Sequence, residues 1–398
     1  MKYIILQGDG MADDRMDDLG GQTPLEAAHT PAMDFLARSG DIGLMNTVPN
    51  GQPVGSAVGN MSLLGIDPDR YYTGRAPLEA RAQGIEIGPR DIAFRCNLVE
   101  LDFSGPEPRM KDYSADHIAS ERAKEIIDRI DSENEDNRFK FYPGVSYRNL
   151  LIWNNGLDEI DLEKLDLTPP HDISGLKIGD YLPSGEASED LRTLIKASQE
   201  VLDKADVSGA ANSIWLWGQG TRPNFPQIPD KYGVEGYVVS AVDLIHGIGL
   251  YAGLNSLQVE GATGFLDTNA SGKVQAASSR LESGNLVFLH FEAPDEASHM
   301  GDLELKVEAI EMFDREIVQP VIDYLDGGDP FSVLLATDHY TKISTKTHER
   351  GLVPFVIFRS KSIAEGSAGF NEPAAEASGR VLERGYRVFE KFLAGGST

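Results

Sequence analysis

One cysteine, Cys96, is all the thiol that 398 residues supply, so an intrachain disulfide and a thiolate metal cage are both excluded. Long apolar runs are missing too, since no stretch approaches the ~18 residues that a membrane helix needs. The first apolar run, Tyr3 to Leu6 in MKYIILQGDG, is too short for the hydrophobic region of a signal peptide. Residence in the reducing cytoplasm is the expectation. Basic residues are scarce beside acidic ones: 36 Lys and Arg against 63 Asp and Glu give a net charge of -27. Such a surface disfavours nucleic acid and anionic membranes as partners. A small anionic substrate would therefore need a locally positive pocket, made by metal ions or a few inward arginines. A Gly-x-x-x-x-Gly-Lys-Ser/Thr phosphate loop is also lacking, which weighs against a common class of nucleotide-dependent enzyme.

What is present is the material of a large α/β protein. The length favours two domains or one domain with an insertion. Tyr3 to Leu6 reads as a buried strand ending at Gly8-Asp9-Gly10, and from Ser213 onward similar runs recur: SIWLWG, YVVSAV, SLQVE, NLVFLHFEAP, SVLLATD and PFVIF. Helical patterns lie between them, the clearest over Leu303 to Leu325. Strands alternating with helices predict a mostly parallel sheet with helices on both faces. Residues 1–78 and 208–398 are expected to form this domain. Residues 79–207 are expected to be a smaller inserted α/β (α+β) domain, with strands over Ile92 to Leu101 and Tyr147 to Trp153 and helices over Ala115 to Ile130 and Ser188 to Ala205.

The residues that could carry chemistry cluster just past strand ends. Asp338 and His339 follow SVLLAT, with His348 a few positions on and PFVIF after it. Asp295 and His299, four apart, point the same way on a helical turn, as two ligands of one metal do. Asp9 completes a set of three carboxylates and three imidazoles, which suits Mn²⁺ or Zn²⁺ better than an all-oxygen Ca²⁺ site. Six protein ligands exceed one tetrahedral site and predict two ions. Ser56, in the glycine-flanked loop PVGSAVGN before a helix, is the hydroxyl such a pair could activate. His290, inside a strand, reads as a satisfied core histidine.

The ordered segments GDGMAD, PVGSAVGN, TGRAPLEA, EAPDEASH, ATDH and THERGLVPF resemble the cofactor-independent phosphoglycerate mutases, in the archaeal-type branch of the alkaline phosphatase superfamily. AFRCNLV, YPGVSYR, WLWGQG and DTN are similar to further segments of that branch. The resemblance implies an alkaline-phosphatase-like fold with two divalent ions, Mn most of all, with Zn, Mg or Co as alternatives. It implies one ion on Asp295, His299 and His348, and the other on Asp9, Ser56, Asp338 and His339. Ser56 would be transiently phosphorylated, and 79–207 would bind the substrate and close over the metals. The chain departs from many mutases in having Ala57 after the serine, and Asn60 where the longer bacterial form has histidine.

The implied reaction, part of glycolysis, interconverts 3- and 2-phosphoglycerate through phosphoserine. Arg75, Arg95, Arg148 and Arg222 are the candidates for gripping the substrate's phosphate and carboxylate, because guanidinium groups bind both bidentately. Three rivals share these residues: a homoserine kinase proposed for part of the bacterial branch, a phosphomonoesterase, and a non-catalytic metal-stabilised binding protein.

Overall fold

The computed structural model describes residues 1–204, 210–361 and 369–394, with the side chain of Lys204 left out. The strands in chain order begin with β1 (Lys2–Gly8), β2 (Asp41–Met45), β3 (Ile92–Asp102), β4 (Arg109–Asp112), β5 (Phe139–Val145) and β6 (Arg148–Trp153). Two short pieces, β7 (Leu165–Asp166) and β8 (Ser184–Gly185), precede β9 (Ser213–Thr221), β10 (Gly236–Val239), β11 (Asn255–Leu257) and β12 (Leu286–Phe291). The last five are β13 (Phe331–Ala336), β14 (Tyr340–Lys342), β15 (Thr347–Glu349), β16 (Val353–Arg359) and β17 (Val381–Leu382).

The chain divides into two compact units, one of Met1–Tyr72 with Asn224–Thr398 and one of Thr73–Pro223. In the first, eight strands lie in the order β11-β10-β12-β1-β13-β16-β2-β17. Among them only β16 runs against the rest, pairing antiparallel with β13 on one side and β2 on the other. The predicted mostly parallel α/β sheet is thus present. Its central strands are apolar on both faces over most of their length because both faces are covered. Ile4, Leu6, Val287, Leu289, Val333 and Leu335 pack into one core with Phe313 and Ile317, while Ile5, Phe288 and Leu334 are equally buried. The predicted helix over Leu303 to Leu325 is realised as Leu303–Met312, a widened π turn Phe313–Val318, and Gln319–Leu325. Pro320, which has no N–H to donate, sits just after the widened turn.

The second unit is built on antiparallel pairing, β4-β3-β6-β5 with β9 added on β3. Here the structure departs from expectation. SIWLWG, expected to open the returning parallel sheet, pairs antiparallel with β3 from Ile92 to Val99. The helix expected over Ala115 to Ile130 begins only at Ser120. Ala115, Asp116 and His117 instead have positive φ, in a turn where Asp112 accepts hydrogen bonds from the N–H groups of Ser114 and Asp116. The expected boundary after residue 78 falls within the helix Ala76–Ala82. The boundary at 207/208 and Ala205, the end of an expected helix, lie outside the described residues.

No helix among the described residues is long and apolar enough to cross a membrane.

Candidate metal centre

Three adjacent strands aim their carboxyl ends at one place. β12, β1 and β13 lie side by side and parallel, so the residues that follow them share one end of the sheet. Asp9 follows β1, the helix Ala293–Met300 follows β12, and Asp338-His339 follows β13. His348 joins them because β16 returns antiparallel beside β13. The β14–β15 hairpin between these strands, which carries His348, therefore stays at the same sheet end.

Two groups of ligand-type atoms result, Asp295-His299-His348 and Asp9-Asp338-His339, each with its atoms within 4.8 Å of one another. In the first, Asp295 Oδ2 lies 3.2 Å from His299 Nε2 and Oδ1 lies 3.5 Å from His348 Nε2. The two Nε2 atoms are 3.1 Å apart. His299 Nδ1 donates to the carbonyl of Lys346 at 3.0 Å, which turns Nε2 inward. Burial opposes ionisation of Asp295, but hydrogen bonds and charge from His299 and His348 hold its pKa well below the ordinary carboxylate range.

In the second group, His339 Nε2 sits 3.3 Å from Asp9 Oδ1 and 3.2 Å from Asp338 Oδ2. Ser56 Oγ is 3.2 Å from the same nitrogen. Ser56 opens the helix Ser56–Leu63, whose first turn has free N–H groups and the positive end of the helix dipole. Gly55 before it has φ 149, a conformation that favours glycine. Asn60, one turn on, donates from Nδ2 to the carbonyl of Ser56 and to Asp338 Oδ2, both at 2.9 Å. It thereby ties the serine turn to the carboxylate.

The electrostatics of this end of the sheet call for cations. Burial, with the negative charges of Asp338, Asp295 and Glu292, raises the Asp9 carboxyl well above its usual range. Asp9 Oδ1 is buried without a hydrogen-bond donor. Burial pushes the pKa of His339 down, leaving a neutral imidazole. Carboxylates and imidazoles facing inward, with one oxygen unsatisfied, are the donor set that divalent transition ions take once bound protons are displaced.

Several contributors escape a reading of motifs. His290 is a satisfied core histidine as expected, but one of its partners is Asp9. Its Nε2 donates to Asp9 Oδ2 at 2.8 Å, and its Nδ1 meets Ser240 Oγ at 2.9 Å. Ser240 Oγ accepts from Val242 N and keeps its proton to give to His290 Nδ1, the arrangement in which Nε2 carries the hydrogen toward Asp9. Thr341 Oγ1 lies between Asp295 and His339. Lys306, fully buried, bonds Asp13, the Thr341 carbonyl and the Ala12 carbonyl. Of these only Asp13, inside GDGMAD, carried a sequence signal.

The four candidate arginines belong to the second unit. Arg75 and Arg95 both pair with Glu79, at 2.8 and 2.9 Å. The Arg95 guanidinium also stacks 4.3 Å from the Trp217 ring centroid. Burial lowers the Arg95 pKa to about 10 against the pull of Glu79. Arg148 is exposed and lies over Tyr147, and Arg222 is exposed just past β9.

Known proteins share this chain's sequence and fold. Residues 37–208 match the family model described as 2,3-bisphosphoglycerate-independent phosphoglycerate mutase. A protein of Methanosarcina barkeri bearing that name is 48% identical over 386 residues, covering 94% of this chain and 95% of its own. Another so named, from Methanothrix thermoacetophila, is 44% identical over 404 residues, covering 99% and 100%. A solved Pyrococcus horikoshii structure covers 100% of this chain and 98% of its own at 26% identity, with a TM-score of 0.81. With this much identity along nearly its whole length, the chain belongs to the 2,3-bisphosphoglycerate-independent phosphoglycerate mutase family.

Proposed function

We propose that this protein interconverts 3-phosphoglycerate and 2-phosphoglycerate through a phosphorylated Ser56, as a cytoplasmic step of glycolysis. The observation that carries the reading is Ser56 Oγ at a helix start, 3.2 Å from His339 Nε2, beside two carboxylate–imidazole groups. Asp295, His299 and His348 would hold one divalent ion, and Asp9, Asp338, His339 and Ser56 the other. Ions bound there, Mn²⁺ foremost with Zn²⁺, Mg²⁺ or Co²⁺ as alternatives, lower the pKa of a hydroxyl and offset the charge of a phosphoryl group.

Ser56 Oγ attacks phosphorus in line, the bond from phosphorus to O3 of the substrate breaks, and the serine proton passes in net to the departing glycerate. The glycerate then turns and its 2-hydroxyl takes the phosphoryl group back, returning a proton to Ser56. Water must be kept out meanwhile, because hydrolysis of phosphoserine would make the protein a phosphatase. The unit Thr73–Pro223 is the proposed substrate binder, with Arg75, Arg95, Arg148 and Arg222 for phosphate and carboxylate. The pairing of Arg75 and Arg95 through Glu79 supports this, since a shared carboxylate holds two guanidinium groups at a fixed spacing.

The test is Mn²⁺-dependent conversion of 3-phosphoglycerate by the full chain and by Ser56→Ala. Loss of about a thousandfold or more is expected for the variant, together with a phosphate adduct on Ser56 of the parent in acid-quenched samples. A variant that keeps mutase activity sinks the mechanism. Activity only in ATP-dependent homoserine phosphorylation, or only in p-nitrophenyl phosphate hydrolysis, would move the assignment to a kinase or a phosphatase.

A further inference from the structure

Between the two groups stands the hydroxyl of Thr341. Thr341 is fully buried, and its Oγ1 lies 2.5 Å from Asp295 Oδ1 and 3.1 Å from His339 Nδ1. Its backbone is the cross-strand partner of His348 in the β14–β15 hairpin. The position is held from outside as well: Lys306 Nζ donates to the Thr341 carbonyl at 2.7 Å, and Thr341 N donates to the Ala12 carbonyl at 3.3 Å. One residue thus touches a member of each group by side chain and a further member by strand pairing.

A threonine hydroxyl has one proton to give and lone pairs to receive with. Asp295, with two imidazoles within 3.5 Å, can only accept, so the proton of Thr341 goes to Asp295. Its lone pair must then be filled by N–H of His339. That puts the hydrogen of His339 on Nδ1 and leaves the lone pair of Nε2 facing Ser56, Asp9 and Asp338. The directions run one way through the chain His339 to Thr341 to Asp295, and each bond depends on the next.

From this geometry we infer that Thr341 is the positioning residue that couples the two cation sites, setting the tautomer of His339 and the orientation of Asp295 through one hydroxyl. The inference rests on the two-ion reading above. Without the hydroxyl, His339 Nδ1–H would be buried with no acceptor and Asp295 would lose its shortest bond, so ligands at both sites would loosen together. A threonine that merely filled the core would affect stability and leave both sites intact.

The test compares Thr341→Val, which keeps the shape and removes the hydroxyl, with Thr341→Ser, which keeps the hydroxyl. Two readouts need no turnover. In metal-free full-length protein carrying ¹⁵N-histidine, the His339 signal should show the Nδ1–H tautomer in the parent and the serine variant, and lose it in the valine variant. In Mn²⁺ titration calorimetry, the valine change should weaken both binding phases by about 10–100-fold, the usual effect of losing a partner that orients a ligand. The serine variant should stay within about threefold of the parent, on the same scale. If the valine variant does not fold, Thr341→Ala takes its place with the same expectations. Unchanged isotherms, weakening of one phase only, or an unchanged His339 tautomer would each overturn the coupling. A parent that loads two ions and shows the tautomer, yet converts no phosphoglycerate, would sink the functional reading and leave the coupling standing.

Discussion

His299 and His348 point nitrogen to nitrogen, Nε2 against Nε2 at 3.1 Å, with the rings nearly perpendicular at 78°. Two lone pairs cannot face each other at that distance without repulsion, so something positive must lie between them, either a proton or a metal ion. Asp295, 3.2 Å from His299 Nε2, supplies the matching negative charge. The pair thus shares a proton beside Asp295, and the same atoms are the proposed ligands of one metal ion.

Metal loading should accordingly compete with protons. Burial opposes charge on His299, but its hydrogen bond to Asp295 outweighs burial and raises its pKa to about 9. The folded pKa lies above the ordinary value, so this proton stabilises the metal-free fold fully below about pH 6.5, and the contribution is lost as pH rises through about 9. An incoming ion must displace the proton. The apparent Mn²⁺ affinity should climb by about tenfold per pH unit between pH 6.5 and 9, and then level off. Calorimetry in buffers of different ionisation enthalpy would read the released proton directly, and an affinity flat from pH 6.5 to 8.5 would count against the assignment.

Gly10 should tolerate no side chain. It has φ +59, and a Cβ there would come within 2.4 Å of Thr341 Oγ1 and 2.6 Å of Asp295 Oδ1. Gly10→Ala is thus strained in its backbone and intrudes on the bond that links the two groups. Loss of about 1–3 kcal/mol of stability is expected, with weakened metal binding that added Mn²⁺ only partly restores. Thermal unfolding with and without Mn²⁺ checks both. A variant as stable as the parent, with full metal affinity, would mean the close packing around Gly10 is not what holds Asp295.

How much of this was legible in the sequence depends on what each signal encodes. Unbroken apolar runs report burial on both faces, and they located β1, β12, β13 and β16 together with the residues past their ends. Asp9, Asp338 and His339 follow from that alone. The same signal says nothing about which sheet a strand joins. SIWLWG is as apolar as NLVFLHF, yet it pairs with Ile92–Val99 in the other unit, because partner choice is settled by long-range register. Thr341 and His290 were illegible for a related reason. A threonine in a hairpin and a histidine in a strand have ordinary local explanations, and only the register that sets β1 beside β12 brings His290 to Asp9.

His290 offers a test of that register-borne contact. Its Nε2–H is a donor to Asp9 Oδ2, and it is itself backed by Ser240. His290→Leu would leave both Asp9 and Ser240 short of a buried partner, at a cost of about 1–3 kcal/mol for each unsatisfied group. The mutase rate should fall by about 10–100-fold as Asp9 loses its orientation. His290→Gln retains an N–H donor and should recover part of the rate. Equal activity in the glutamine and leucine variants would show that the donor to Asp9 is unimportant.

Glu372 lies in the support of the hairpin, linked to it through Asp13. Its carboxylate accepts Asp13 N at 3.2 Å and Thr23 Oγ1 at 2.7 Å, and Asp13 in turn receives Lys306 Nζ and Ile343 N. Burial nevertheless dominates these bonds and raises the Glu372 pKa to about 7. An acid whose folded pKa is raised binds more protons in the native state than in the unfolded state between about pH 4.5 and 7. Stability must therefore fall as pH rises through that window and stay lower above it. The full effect is on the order of 3 kcal/mol. Glu372→Gln, which cannot ionise, should be no less stable than the parent at pH 8 and should lack this part of the decline. Asp9 is raised in the same sense, so the decline itself is not diagnostic. The difference between variant and parent is, because the substitution leaves Asp9 in place. Urea unfolding of chelator-treated protein at pH 5 and pH 8 measures it: the parent should lose more stability across the interval than the variant. Identical losses would mean that Glu372 is already ionised at pH 5, held so by the positive charge of Lys306.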